Sequence, residues 1–246
     1  MRAILTYHSL DESTSPISLS PAVFAEQVRW FASGAVRIVP LGRISETSAD
    51  EPTIAITFDD GFANLKAPLA SLADHGLPAT IFVVTGQIGA TNAWGGRAEP
   101  GIPTLPLLTW RDLGQLIERG FEIGAHTNRH SRLPELSEPQ VRAELDEPLA
   151  TIERELGRRP ISFAYPYGAY NGTVGAMVGE RYQWGCSTEL RGFGTVEDRR
   201  FLPRLDMYYW RRSGAIERFG EIGFRAQVWG RRQARRFRES LTSRGR

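Results

Sequence analysis

The chain has 246 residues, 41% hydrophobic and 24% charged, with a formal net charge of +2. These totals exclude a disordered or fibrous chain and leave room for one α/β barrel or two small domains with a real core. One cysteine, Cys186, excludes an internal disulfide; no window approaches the roughly 18 apolar residues of a membrane span, and so small a net charge selects no nucleic-acid partner.

In chain order, the opening Met1-Arg2-Ala3-Ile4-Leu5-Thr6-Tyr7-His8 holds too short an apolar run for a secretory leader, which makes a cytoplasmic location the expectation. Residues 3–7 read as a strand. Residues 21–32 read as a helix capped by Ser20, with Pro21 in its first position. Residues 53–58 (TIAITF) form an apolar strand that runs into Asp59-Asp60-Gly61. A helix over 68–75 stops at Gly76, and residues 80–84 give the next strand. Residues 86–106, rich in Gly and Pro and containing Trp94, read as a long loop. Thr109 caps a helix to about Arg119, and a short strand over 121–124 leads to His126. Ser137, with Gln140 three places on, opens a capping-box helix that ends at Gly157, with a kink expected at Pro148. Strands follow at 161–164, 183–187 and 203–207. From Ala215 onward the pattern is partly amphipathic and ends in a basic, frayed tail with seven arginines from Arg231 to Arg246.

Strand and helix thus alternate about seven times, which predicts parallel strands joined by crossover helices and favours a barrel over an open sheet. The expected division is one α/β domain over residues 1–212 and a helical, Arg-rich tail over 213–246. Chemically suggestive residues fall just after strands, where such barrels carry their sites.

Two histidines four apart, in His126-Thr127-Asn128-Arg129-His130, can share a helix face or a tight turn and reach one ion. In Thr57-Phe58-Asp59-Asp60-Gly61, adjacent carboxylates would point to opposite faces of a regular strand. A bend at Gly61 can turn both toward one site, where they would repel unless a cation or proton sat between them. Two imidazoles and one carboxylate make the three-ligand pattern of a catalytic zinc site, which other divalent ions also accept, and one carboxylate remains as a base. At a third strand end, Phe163-Ala164-Tyr165-Pro166-Tyr167-Gly168 holds a loop that can aim backbone N–H groups at an oxyanion and tyrosines at a sugar ring.

With these three segments in order, the chain resembles the NodB-homology polysaccharide deacetylases (carbohydrate esterase family 4), the chitin, peptidoglycan and related N-acetylglucosamine deacetylases. Trp110, the run 120–124 and the Tyr7-His8 opening add to the likeness, which spans roughly residues 3–210. The resemblance implies an irregular (β/α)7 barrel and N-deacetylation of an N-acetylated sugar or glycan. It assigns Asp59 as general base, Asp60, His126 and His130 as ligands of one divalent ion (zinc, or else cobalt, nickel or manganese), and the Tyr167 N–H as oxyanion donor. Tyr165, Tyr167, His8 and Trp94 are the candidate substrate-binding side chains, with Trp110 a further candidate for the cleft wall.

Two departures stand out. The family's third motif carries an arginine that orients the catalytic aspartate; here that strand has none, and Arg204, on a late strand, is the candidate replacement. The family's general-acid histidine is missing too, since no histidine follows His130. Asp59 or His8 would then return the proton. The competing readings are a deformylase or amidase acting on an amino sugar or other small amide, and a carbohydrate-binding homologue impaired in turnover.

Overall fold

The computed structural model describes residues 1–243, with side chains through Phe237. Ten strands alternate with six helices. β1 (Arg2–Tyr7), β4 (Arg37–Ile38), β5 (Thr53–Phe58), β6 (Thr80–Val83), β7 (Glu122–Ala125), β8 (Ser162–Ala164), β9 (Trp184–Cys186) and β10 (Leu205–Asp206) form one parallel sheet; β2 (Ser9–Leu10) pairs with β3 (Ser18–Leu19) beside it. The sheet order is β10-β1-β5-β6-β7-β8-β9, and β4 pairs with the start of β5, the end that β6 leaves unpaired. A parallel bridge between Cys186 and Leu202 joins β9 to the segment entering β10, which brings the two edges of the sheet round toward each other. Seven strands follow one another round the sheet, with β4 off that path, and the fold is the expected irregular α/β barrel.

The helices are α1 (Pro21–Ala32), α2 (Lys66–Asp74), α3 (Trp110–Glu118), α4 (Glu138–Leu156), α5 (Gly172–Arg181) and α6 (Ile222–Ser243). Thr109 and Asp112 close a capping box on α3, as do Ser137 and Gln140 on α4. α4 is one continuous helix through Pro148, which it buries, so the expected kink does not divide it.

Alternation along the strands separates two apolar layers. Tyr7 and Phe58 point outward and stack at 5.2 Å, with Phe24 of α1 edge-on to Tyr7. The barrel interior is a smaller cluster that includes Ile4, Ala55, Phe82, Ala164, Cys186 and Leu202. Phe82 occupies space that a Cβ at Gly124 would invade at 2.5 Å, so the neighbouring strand carries glycine there. The outer layer reaches Ile216, Phe219, Phe224 and Val228, which seats residues 216–228 on the same core as the barrel. Among the described residues no helix is long and apolar enough to cross a membrane. Of the basic tail, Arg244 and Arg246 lie outside the described residues.

Candidate active site

The alternation that sends Tyr7 and Phe58 outward sends Thr6, His8, Thr57 and Asp59 inward at the carboxyl end of the barrel. Asp59 still belongs to the ladder, its N–H donating to Tyr7 O at 2.9 Å. The chain then turns sharply: Asp60 and Gly61 both adopt positive φ, 68° and 74°. That turn brings the second carboxylate to the same side as the first, which a regular strand cannot do.

Arg204 enters from the residue before β10 and is 1% exposed. Its guanidinium grips Asp59 with two parallel bonds, Nη1 to Oδ1 at 2.7 Å and Nη2 to Oδ2 at 2.8 Å. The Thr6 and Thr57 hydroxyls accept from Nη1 and the Ser187 carbonyl accepts from Nε. Burial alone would raise the Asp59 carboxyl, but Arg204, with His126 adding to it, holds it well below the ordinary carboxylate range. His8 Nε2 stands 3.9 Å from Asp59 Oδ2 and is partly open to solvent.

Asp60, His126 and His130 converge, with one ligand atom from each within 4.8 Å of the others. His126 Nε2 and His130 Nε2 lie 3.5 and 3.3 Å from Asp60 Oδ1. The histidines sit in a tight turn, not on a helix. Thr127 and His130 take positive φ, and Thr127 Oγ1 accepts the His130 N–H. The buried carboxylate of Glu144 on α4 accepts the N–H groups of Asn128 and Arg129 at 3.0 and 2.9 Å, which pins the turn to the barrel. Burial pushes His126 down to about 4, so its imidazole is neutral near pH 7. Its Nδ1 faces Ala164 O at 2.7 Å, which leaves Nε2 with the lone pair directed at the cluster. Asp60 Oδ1 is buried without a hydrogen-bond partner. Such an oxygen facing two imidazoles fits a divalent ion, and an N2O donor set suits zinc and its neighbours.

The rim is aromatic. Trp94 stacks on His130 at 4.3 Å between centroids, and the Tyr167 ring lies 4.6 Å from the same imidazole. The Arg132 guanidinium lies over the Tyr167 ring, 4.2 Å from its centroid. Tyr167 also has a positive φ, 57°. All four non-glycine residues with positive φ among those described—Asp60, Thr127, His130 and Tyr167—belong to this site. Backbone strain of that kind persists where the surroundings over-determine it, as they do at functional sites.

The structure therefore brings together eight of the ten candidate side chains, all but Tyr165 and Trp110. For Tyr165 this corrects its assignment to substrate: it is 1% exposed, its hydroxyl donates to Arg200 O, and its ring packs on Phe163 and Phe201. Trp110 packs against the core at the start of α3. Sequence reasoning missed Glu144 and Arg132. Arg132 lies two residues past His130, a signal available in hindsight; Glu144 gave none, since a lone acid in a capped helix reads as a solvated one.

The sequence profile of the family described as polysaccharide deacetylase matches residues 46–181. A chitin deacetylase of Arthroderma benhamiae is 29% identical over 147 residues, 58% of this chain and 35% of that protein. A poly-beta-1,6-N-acetyl-D-glucosamine N-deacetylase of Staphylococcus aureus is 21% identical over 214 residues, 81% of this chain and 71% of that one. The match spans about a third or less of the length of the first such relatives. The Streptococcus pyogenes deacetylase PplD, solved with acetate, has the same fold at a TM-score of 0.70 and 18% identity, over 83% of this chain and 91% of that one.

Proposed function

The chain belongs to the polysaccharide deacetylase family, and from that premise we propose that it is a metal-dependent hydrolase that removes the N-acetyl group from an N-acetylated sugar or glycan and releases acetate. The observation that carries this reading is the division of labour between adjacent carboxylates. Asp60 faces the two imidazoles, while Asp59 is gripped by Arg204.

A divalent ion held by Asp60, His126 and His130 would polarise the acetyl carbonyl and lower the pKa of the attacking water. Asp59 takes that water's proton. Arg204 keeps the carboxylate ionised and fixes its plane, so the base is charged and aimed before substrate arrives. The Tyr167 N–H, presented by a left-handed turn, donates to the developing oxyanion. The departing amine needs a proton. Asp59 can return the one it took, and His8, 3.9 Å from it, is the second group within reach. Trp94 and the exposed part of Tyr167 offer apolar surface to the sugar.

The test is acetate release from N-acetylglucosamine oligomers, and from nucleotide- and lipid-linked N-acetyl sugars, with and without chelator. Release that stops with chelator and returns with zinc or cobalt is the expected result. Formate release from an N-formyl amino sugar in place of acetate would move the reading to a deformylase. Binding of sugar with no release from any substrate would make the chain a carbohydrate-binding homologue.

A further inference from the structure

We propose that the cleft between the turn Met207–Trp210 and α6 is a binding site for a phosphate-type anion, carried by a soluble ligand or by a lipid headgroup. The turn follows β10 directly, and α6 folds back over it, Phe224 stacking on Trp210 at 5.2 Å between centroids. The space left between them is about 510 Å³, within the range of small-ligand sites.

Its lining includes four guanidinium groups, Arg211, Arg212, Arg218 and Arg231, and no carboxylate. Among the described residues Arg218 pairs with Glu221 at 2.9 Å, while Arg211, Arg212 and Arg231 have no acidic partner. Aromatic rings hold two of them in place. Arg211 lies 4.4 Å over Tyr208, and Arg231 lies 5.0 Å from Tyr209 and 5.7 Å from Trp210. Stacking fixes the guanidinium plane and leaves the in-plane N–H fork free, the geometry that matches phosphate oxygens. Trp210, on the same lining, is 1% exposed and keeps a buried Nε1 donor without an acceptor. The three guanidinium groups without a counter-charge repel one another, and an anion in the cleft reverses that.

The wider charge distribution agrees. α6 carries six arginines against one glutamate, a net +5 in a chain whose total is +2. β10 pairs with β1 at Thr6↔Asp206, so the turn that follows stands level with His8. None of its lining residues belongs to the Asp59–His130 cluster, and binding here is read without turnover, so the proposal stands independently of the deacetylase reading.

Pyrophosphate, titrated calorimetrically into the full chain at low salt, is the direct probe. Saturable binding to one site is expected, weakened about tenfold by either Arg212→Ala or Arg231→Ala, the size of one charge-assisted hydrogen bond. Arg142→Ala, on α4, should leave it unchanged. Arg212 is exposed, so its replacement removes charge without touching the core, and a thermal melt checks that the variants stay folded. Phosphatidylcholine vesicles with and without phosphatidylglycerol separate the two sources. Capture by the anionic vesicles, reversed by pyrophosphate and lost in Arg212→Ala, assigns the cleft to headgroups; pyrophosphate binding without vesicle capture assigns it to a soluble ligand. No saturable binding, or binding that both arginine variants retain, overturns the proposal.

Discussion

Two neighbouring aspartates have separate surroundings, and that difference is the chemistry of the site at the scale of single residues. Asp59 faces a fixed guanidinium; Asp60 faces two imidazoles. Replacing Asp59 with Asn keeps the shape and removes the base, so turnover should fall by about 10²–10⁴-fold while ion binding persists, as steady-state rates and metal analysis would read. Arg204→Met leaves a buried carboxylate unpaired and should cost about 3–5 kcal/mol in chemical denaturation. The pH dependence follows in sign. In the native chain the Asp59 carboxyl is depressed, so its contribution to stability is present above its unfolded value of about 3.9 and is lost as pH falls through the lower folded value. In Arg204→Met only His126 and His8 still oppose burial, so the folded value rises toward the unfolded one and the stability that ionised Asp59 contributes shrinks. The acid limb of the rate profile should move to higher pH with it.

The elements carry strain into the site through short turns. Gly168 has φ +64°, and a Cβ there would meet Thr188 Oγ1 at 1.9 Å; Gly76 has φ +65° with nothing within 4 Å. Gly168→Ala should therefore cost about 2–4 kcal/mol and disturb the Tyr167 turn, whereas Gly76→Ala should cost only about 1–2 kcal/mol, the price of the backbone conformation. Equal losses in thermal melts of the two variants would contradict the packing argument. β1 and β5 were legible because continuous apolar runs mark strands buried on both faces. α5 was not, because Gly172, Gly175 and Gly179 hide its apolar period; Gly175 is there since a Cβ would meet Phe201 at 2.1 Å. The two-residue strands β2, β3 and β4 are too short to carry a pattern. Helix face and tight turn were both open for the histidine pair, and no local signal announces that Thr127 and His130 take left-handed backbone. Tyr165 was misread because a strand end does not reveal which way the last side chain points once alternation stops.

For the whole molecule, the sequence division at residue 212 meets a continuous core. Phe224 is 2% exposed, stacks on Trp210 and touches Phe219. Phe224→Ala should lower the unfolding free energy of the whole chain by about 3–5 kcal/mol in a single transition; a change near zero would mark residues 213–246 as a separable tail. The barrel's deeper consequence is that residues from six distant segments (His8, Asp59 and Asp60, Trp94, His126 and His130, Tyr167, Arg204) meet at one end, and the reading they support is one divalent ion per molecule, held without Asp59. Metal content after chelator treatment, reloading with zinc and exhaustive dialysis tests this most directly. The account predicts one ion per chain in the native protein and in Asp59→Asn, and loss of that ion in His126→Ala and in Asp60→Ala. A native chain that retains no ion, or an Asp59→Asn chain that loses it while His126→Ala keeps it, would contradict the account.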